Sequence, residues 1–152
     1  MKVVANCDGG ARGNPGPAGI GCSIRSAPRG KVLAEISEAI GAATNNVAEY
    51  TAVKRALERA AELGATDVLI RTDSKLLVEQ LKGNYRVKNA TLQKLHAEVR
   101  ALAKPFAKVE WEHVPRERNR RADELVNLAI DAWLGEHPDE PPADDPEQER
   151  LF

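Results

Sequence analysis

Residues 68–74 read Val-Leu-Ile-Arg-Thr-Asp-Ser. The unbroken Val-Leu-Ile run suits a strand buried on both faces, the habit of a sheet covered by helices. Ser74 can cap the helix that follows, KLLVEQL, which Gly83 ends. A strand that closes on an acid and passes straight into a helix puts that acid where open α/β sheets hold ligands. Asp73 is therefore the first candidate functional residue.

Upstream, residues 2–8, 19–26 and 32–40 read as three strands, parted by the turn strings GNPGPA and APRG. Such close spacing predicts an antiparallel meander. Residues 45–63 change to helical period. Val53, Ala56, Leu57, Ala60 and Leu63 form one apolar stripe, and Gly64 follows as a C′ residue. Downstream of the loop NYRVKN, a helix is expected from about Thr91 to Ala103, stopped by Pro105. The alternating string KVEWEHV (108–114) predicts a strand. A last helix from about Arg120 to Leu134 is expected to bury Leu125, Leu128, Ala129 and either Ala132 or Trp133. The order βββαβααβα implies an α/β fold. Its five-stranded mixed sheet would join an antiparallel meander to parallel strands, with helices on both faces.

At 152 residues, 42% hydrophobic and 30% charged, the chain fits one soluble domain. No apolar run approaches the roughly 20 residues that span a bilayer. The start, MKVVANCDGG, shows no signal-peptide h-region, so a cytoplasmic protein is expected. Cys7 and Cys22 lack metal-ligand spacing and should be reduced thiols. The net charge of −1 hides a split. Residues 136–152 carry seven acids and one Arg, and residues 1–135 carry a net +5. The reading divides the chain into a domain over 1–135 and an acidic, Pro-rich disordered tail over 136–152. On charge alone, the mildly basic body is an ordinary solvated surface.

Three further acids stand in suggestive places. Asp8 shares a strand face with Val4 and Asn6, and a carboxylate inside a buried strand is costly unless paired or metal-bound. Glu49 extends the stripe of the first helix inward. Asp123 opens the last helix behind several arginines. Each has an ordinary use as well: Asp8 at a turn, Glu49 and Asp123 complementing helix dipoles. If all four converged, their repulsion would raise their pKa values, and divalent cations would relieve it. An all-oxygen set without a Cys/His cluster selects Mg²⁺ or Mn²⁺.

Together the segments resemble a known family. DGGARGNPGPAGIG is similar to the first-strand signature of ribonuclease HI, TNNVAEY to its T-N-N-x-x-E segment, TDSK to T-D-S, and RNRRADEL to N-x-x-x-D-E-L. The match runs from residue 1 to about 134, and H-V-P-R-x-x-N-x-x-A-D resembles the archaeal-like branch. The resemblance implies a monomeric endonuclease that cuts the RNA strand of RNA–DNA hybrids by a two-metal mechanism, leaving 5′-phosphate and 3′-hydroxyl ends. It implies that Asp8, Glu49, Asp73 and Asp123 hold two Mg²⁺ ions, with Mn²⁺ as a substitute. Gly9, Gly10, Asn14, Asn45, Asn46, Lys75 and Asn119 would lie at the substrate, and Thr44 with Asn14 would grip a DNA phosphate. Asn45 and Asn46 open a helix whose free N–H groups also favour phosphate. Lys75 replaces the Gln of many relatives. His113 matches the family's product-release His by count, but ends a strand; Arg116 is the alternative for that role. The Arg116–Arg121 stretch would steer nucleic acid. The long basic handle of some relatives is missing, which implies weaker hybrid affinity.

Two rivals were set against this reading. A 3′–5′ exonuclease of the same fold would carry D-x-E where this chain has Asp8-Gly9-Gly10. A hybrid-binding module without catalysis would not need four intact acids. The string QERLF (148–152) resembles the peptides by which bacterial proteins bind the replication sliding clamp. That resemblance would seat Leu151 and Phe152 in an apolar pocket with Gln148 at its rim.

Overall fold

The computed structural model describes residues 1–137 except Pro28. Five strands form one sheet: β1 (Lys2–Ala11), β2 (Gly16–Ser26), β3 (Val32–Ala43), β4 (Asp67–Thr72) and β5 (Lys108–His113). Their order across the sheet is β3-β2-β1-β4-β5. The meander β1–β2–β3 is antiparallel, whereas β4 pairs parallel with β1 and β5 parallel with β4. The helices are α1 (Asn45–Glu62), α2 (Lys75–Leu81), α3 (Ala90–Ala103) and α4 (Arg120–Glu136), the last preceded by a 3₁₀ turn at Arg116–Arg118. The mixed sheet, its topology and the element order agree with the sequence expectation.

Local chemistry explains the helix starts. Thr44, Ser74 and Asn89 each turn a side-chain oxygen onto an N–H of the first turn of α1, α2 and α3, satisfying a donor that has no partner within the helix. Period-two alternation then sorts each strand's residues by face. Val3, Ala5 and Cys7 on β1, Ile20, Cys22 and Ile24 on β2, and Val68 and Ile70 on β4 pack against Val53, Ala56, Leu57 and Ala60 of α1. Leu77 and Leu81 of α2 and Leu92 and Val99 of α3 complete that core. Leu63 packs at its margin, partly buried. Cys7 and Cys22 face each other across β1 and β2 as free, buried thiols.

The opposite face is covered by α4 over β2 and β3, and here one expectation is corrected. Leu128 is 55% exposed and Ala132 is also exposed. The buried residues are Ala122, Leu125, Val126, Ala129 and Ile130. The helix is rotated so that Val126 and Ile130 meet the glycines of β1 and β2. A Cβ on Gly21 would run into the Ala122 carbonyl and Leu125, and one on Gly19 would meet Ile130 and the Val126 carbonyl. Gly9 plays the same part for α1, where an added Cβ would strike the backbone of Ala48 and Glu49. The strands are also longer than expected. β1 continues to Ala11, β2 begins at Gly16 and β3 runs to Ala43, because these small residues pair across the ladder where larger ones would hold the helices off. Ion pairs tie the helices to the β3 edge: Arg121 grips Glu35 with both ends of its guanidinium, and Arg55 does the same to Glu38.

Gly21→Ala should therefore destabilise the fold by about 1–3 kcal/mol, as overpacking does. Gly10→Ala, whose Cβ would meet only Val126 Cγ1 at 3.7 Å, should be close to neutral. Urea unfolding of the two variants checks this, and equal losses would count against the close approach of α4.

Candidate active site

The parallel register of β1 with β4 aligns Asn6 with Arg71, so two residues further along Asp8 comes level with Asp73, just past the end of β4. Asp8 lies opposite Gly21, which has no side chain to crowd it. Glu49 enters from the second turn of α1 and Asp123 from the first turn of α4. All four acids line one cleft of about 260 Å³, together with Gly9, Gly10, Arg12, Asn45, Arg116 and Asn127.

Electrostatics registers how close they are. Burial pushes the Asp8 carboxyl up from 3.8 to about 8, helped by the charges of Asp73 and Asp123, a hydrogen bond with Asp123, and the charge of Glu49. Burial also pushes Glu49 up to about 7; a hydrogen bond with Ser74 pulls it back and Asp73 adds to the rise. The cleft thus holds protons on groups that would be ionised in water, which leaves it suited to a hard cation. The donors are all carboxylate oxygens, with no His or Cys on the cleft wall. Among the described residues no three such side chains are already drawn into an ion cage. The acids surround the cleft rather than meet at a point, an arrangement that fits cations shared between pairs of them.

The remaining sequence candidates fall into three groups. Gly9, Gly10 and Asn45 line the cleft, while Asn46 and Lys75 are exposed near its rim at the starts of α1 and α2. Asn14 and Asn45 are engaged with one another's segments. Asn14 Oδ1 accepts from the Asn45 backbone N–H at 3.0 Å, and Asn45 Oδ1 accepts from the Ala11 N–H at 2.9 Å. The Asn45 N–H is therefore not free for phosphate, contrary to expectation. Thr44 is 4% exposed and caps α1. Asn119, expected at the substrate, is 1% exposed. It donates to the Cys7 carbonyl at 2.8 Å and accepts from Asn6 at 3.1 Å, so it positions the start of α4 instead.

Arg116 is on the cleft wall, with Nη2 3.7 Å from Asp123 Oδ1, and its side chain is 76% exposed. His113 ends β5, exposed and off that wall. The sequence reading missed Arg12 and Asn127. Arg12 pairs with Asp131 at 2.6 Å and donates to Asn127, and Asn127 donates to the Asp123 carbonyl. The available signal was the four-residue step from Asp123 to Asn127 on one helix face.

A family model described as reverse transcriptase-like matches residues 6–129. A bifunctional protein of Mycobacterium tuberculosis is 52% identical over 132 residues, 87% of this chain and 36% of that protein, so the chain spans about a third of that relative's length. The crystal structure of RNase H1 from the halophilic archaeon Halobacterium salinarum superposes with a TM-score of 0.84 at 42% identity, covering 87% of this chain and 99% of that one. LC11-RNase H1 in complex with an RNA/DNA hybrid superposes with a TM-score of 0.83 at 46% identity, covering 87% and 99%.

The cleft carries a pH signature. A carboxyl whose folded pKa is about 8 rather than 3.8 binds its proton more tightly in the fold than in the unfolded chain. Stability from Asp8 is therefore lost as pH rises through that window. Asp8→Asn removes the ionising group. In the presence of a chelator, the variant's Tm should exceed that of the native chain by a margin that widens from about pH 5 to about pH 8.5. A margin that is flat or shrinks over that range would contradict the burial and crowding of Asp8.

Proposed function

The chain belongs to the ribonuclease H family, and from that premise we propose that it is a metal-dependent endonuclease hydrolysing the RNA strand of RNA–DNA hybrids. The observation that carries the reading is the single cleft lined by Asp8, Glu49, Asp73 and Asp123, with Asp8 pushed up to about 8 and Glu49 to about 7. These four side chains would hold two Mg²⁺ ions, or Mn²⁺ in their place. Ions so held supply activation of a water for in-line attack and stabilisation of the leaving 3′ oxygen, which leaves 5′-phosphate and 3′-hydroxyl ends.

The chain's own residues supply the rest. Gly9 admits the backbone of α1 and so brings Glu49 to the acids, and Gly10 lines the cleft beside Val126. Asn14, Asn45 and Asn46 would form the rim that meets the hybrid, with Lys75 nearby and Thr44 beneath them capping α1. Arg116 sits beside Asp123 with most of its side chain in solvent, so it can draw a phosphate toward the acids and release it. The 2′-hydroxyl on the cut strand, and the groove shape set by the paired DNA, would provide selectivity. Residues 1–135 carry the activity in this reading, as a monomer in the cytoplasm, where primers and stray hybrids form. The tail residues Gln148, Leu151 and Phe152 lie outside the described residues. Their QERLF string supports docking to the replication sliding clamp.

A strand-labelled panel tests the function: RNA–DNA hybrid, double-stranded RNA, double-stranded DNA and single strands, each with Mg²⁺ and with Mn²⁺. RNA-strand cleavage confined to the hybrid is the expected result. Asp73→Asn should lower the rate on the order of 10³-fold, the equivalent of about 4 kcal/mol of lost charge stabilisation. Near-normal cleavage by a folded Asp73→Asn protein would falsify the assignment.

Arg116→Ala should lower kcat more than His113→Ala, since Arg116 reaches Asp123 and His113 is off the cleft wall. Steady-state kinetics on one hybrid decides it, and the reverse order would restore His113 to the turnover role. For the tail, fluorescence anisotropy of a 136–152 peptide against a bacterial clamp should show binding that Leu151→Ala with Phe152→Ala removes. Binding indifferent to that pair of changes ends the docking idea.

A further inference from the structure

Behind the turn that carries Arg116 lies a second, smaller cavity of about 70 Å³, lined by Asn6, Ser23, Arg25, Arg118, Asn119 and Arg121. It shares no residue with the catalytic cleft. It has room for a small tetrahedral anion or a few waters.

Three features bear on this space. The first is charge. Arg25 and Arg118 line it, and among the described residues neither takes part in an ion pair. Arg121 also lines it and already holds Glu35 and Glu124, and no acid is on the cavity wall.

The second feature is the start of α4. The side chain at its N-cap, Asn119, is turned down onto the Cys7 carbonyl and Asn6, so α4 begins without a side-chain cap. The N–H groups of its first turn are left without a side-chain acceptor, and free N–H groups at a helix start are a ready anion site. The third is Ser23. It is 8% exposed, lines the cavity, and its hydroxyl makes no hydrogen bond among the described residues. That hydroxyl is open to the cavity and free to bond a group held there. Cationic arginines, free N–H donors and an unengaged hydroxyl make a set that an oxyanion would satisfy, and a cation or an apolar group would not.

We infer that this cavity is a second phosphate-binding site, taking one phosphate group between Arg25, Arg118, Ser23 and the start of α4. The phosphate comes either from the backbone of a bound nucleic acid or from free phosphate. Only the first source rests on the nuclease reading. In that case the site anchors the strand on the far side of Arg116 from the acids and lengthens the footprint of a chain that lacks a basic handle.

The test uses the full chain, ¹⁵N-labelled and free of metal, titrated with inorganic phosphate while the amide signals of Ser23, Arg121 and Ala122 are followed. Saturable shifts at these amides are expected, and they should vanish in a Ser23→Ala/Arg25→Ala double variant. That variant removes no ion pair or hydrogen bond recorded among the described residues; Arg25→Gln serves as a second version that keeps side-chain volume. Cleavage of a hybrid by the same proteins separates the sources. A backbone phosphate predicts KM raised about 3- to 10-fold with kcat within about twofold, and a salt dependence of kcat/KM shallower by roughly one unit. Unchanged KM with lost phosphate shifts assigns the site to free phosphate. Absence of saturable shifts together with unchanged KM, or shifts that survive in the double variant, overturns the inference. Wild-type cleavage in the same series reads the nuclease proposal on its own.

Discussion

β1 is hydrogen-bonded along both sides, antiparallel to β2 and parallel to β4, and the rest of the molecule is arranged around that double pairing. A strand held on both sides cannot twist a side chain out of register. Asp8 is therefore fixed in a direction that burial alone would oppose. The antiparallel side sets Gly21 across from it and makes the space. The parallel side sets Asp73 level with it and supplies the neighbour. Neither pairing alone would produce a cleft: the first gives room without charge, the second charge without room. α1 and α4 then close the two ends, each admitted by glycines that let backbone meet backbone.

Four carboxylates at such quarters oppose folding when no cation is bound. Burial and the neighbouring charges push Asp8 up to about 8 and Glu49 up to about 7, so the free protein accommodates the crowding by holding protons. The same crowding also repels phosphate. Arg116 beside Asp123, and Arg12 on the same cleft, add positive charge to a cleft otherwise lined by acids. Arg12 is held by Asp131 and Asn127, whereas Arg116 is largely free to move.

Much of this could be read from the chain. Apolar patterning, caps and turn strings marked the five strands and four helices, and the acids stood out by place: Asp8 inside a strand, Asp73 at a strand end, Glu49 and Asp123 near helix starts. What escaped has physical reasons. The string RADELVNLAIDAWL offers two apolar stripes a single residue apart. Only docking onto Gly19 and Gly21 selects the one through Val126 and Ile130 over the one through Leu128. Strand ends were underestimated because Gly and Ala have weak strand preference of their own and are kept there for helix approach. The asparagines were the hardest. Asn14 bonds to a residue 31 positions away and Asn119 to residues 112 and 113 positions away. No local pattern tells a polar side chain that will touch substrate from one that will fasten two segments together.

The two outer strands have a bearing on the company the protein keeps. A sheet that stops leaves a row of backbone donors and acceptors able to recruit a strand from another molecule. On β3 that row is bounded by Glu35 and Glu38, each clasped by an arginine from a helix, and the β2–β3 ladder is interrupted at two places, near Ala18 and near Ile24. On β5, Lys108, Glu110 and Glu112 alternate along the open margin. Where copies of the chain crowd together, intermolecular strand pairing would favour an aggregate. Charged, kinked margins make that pairing costly.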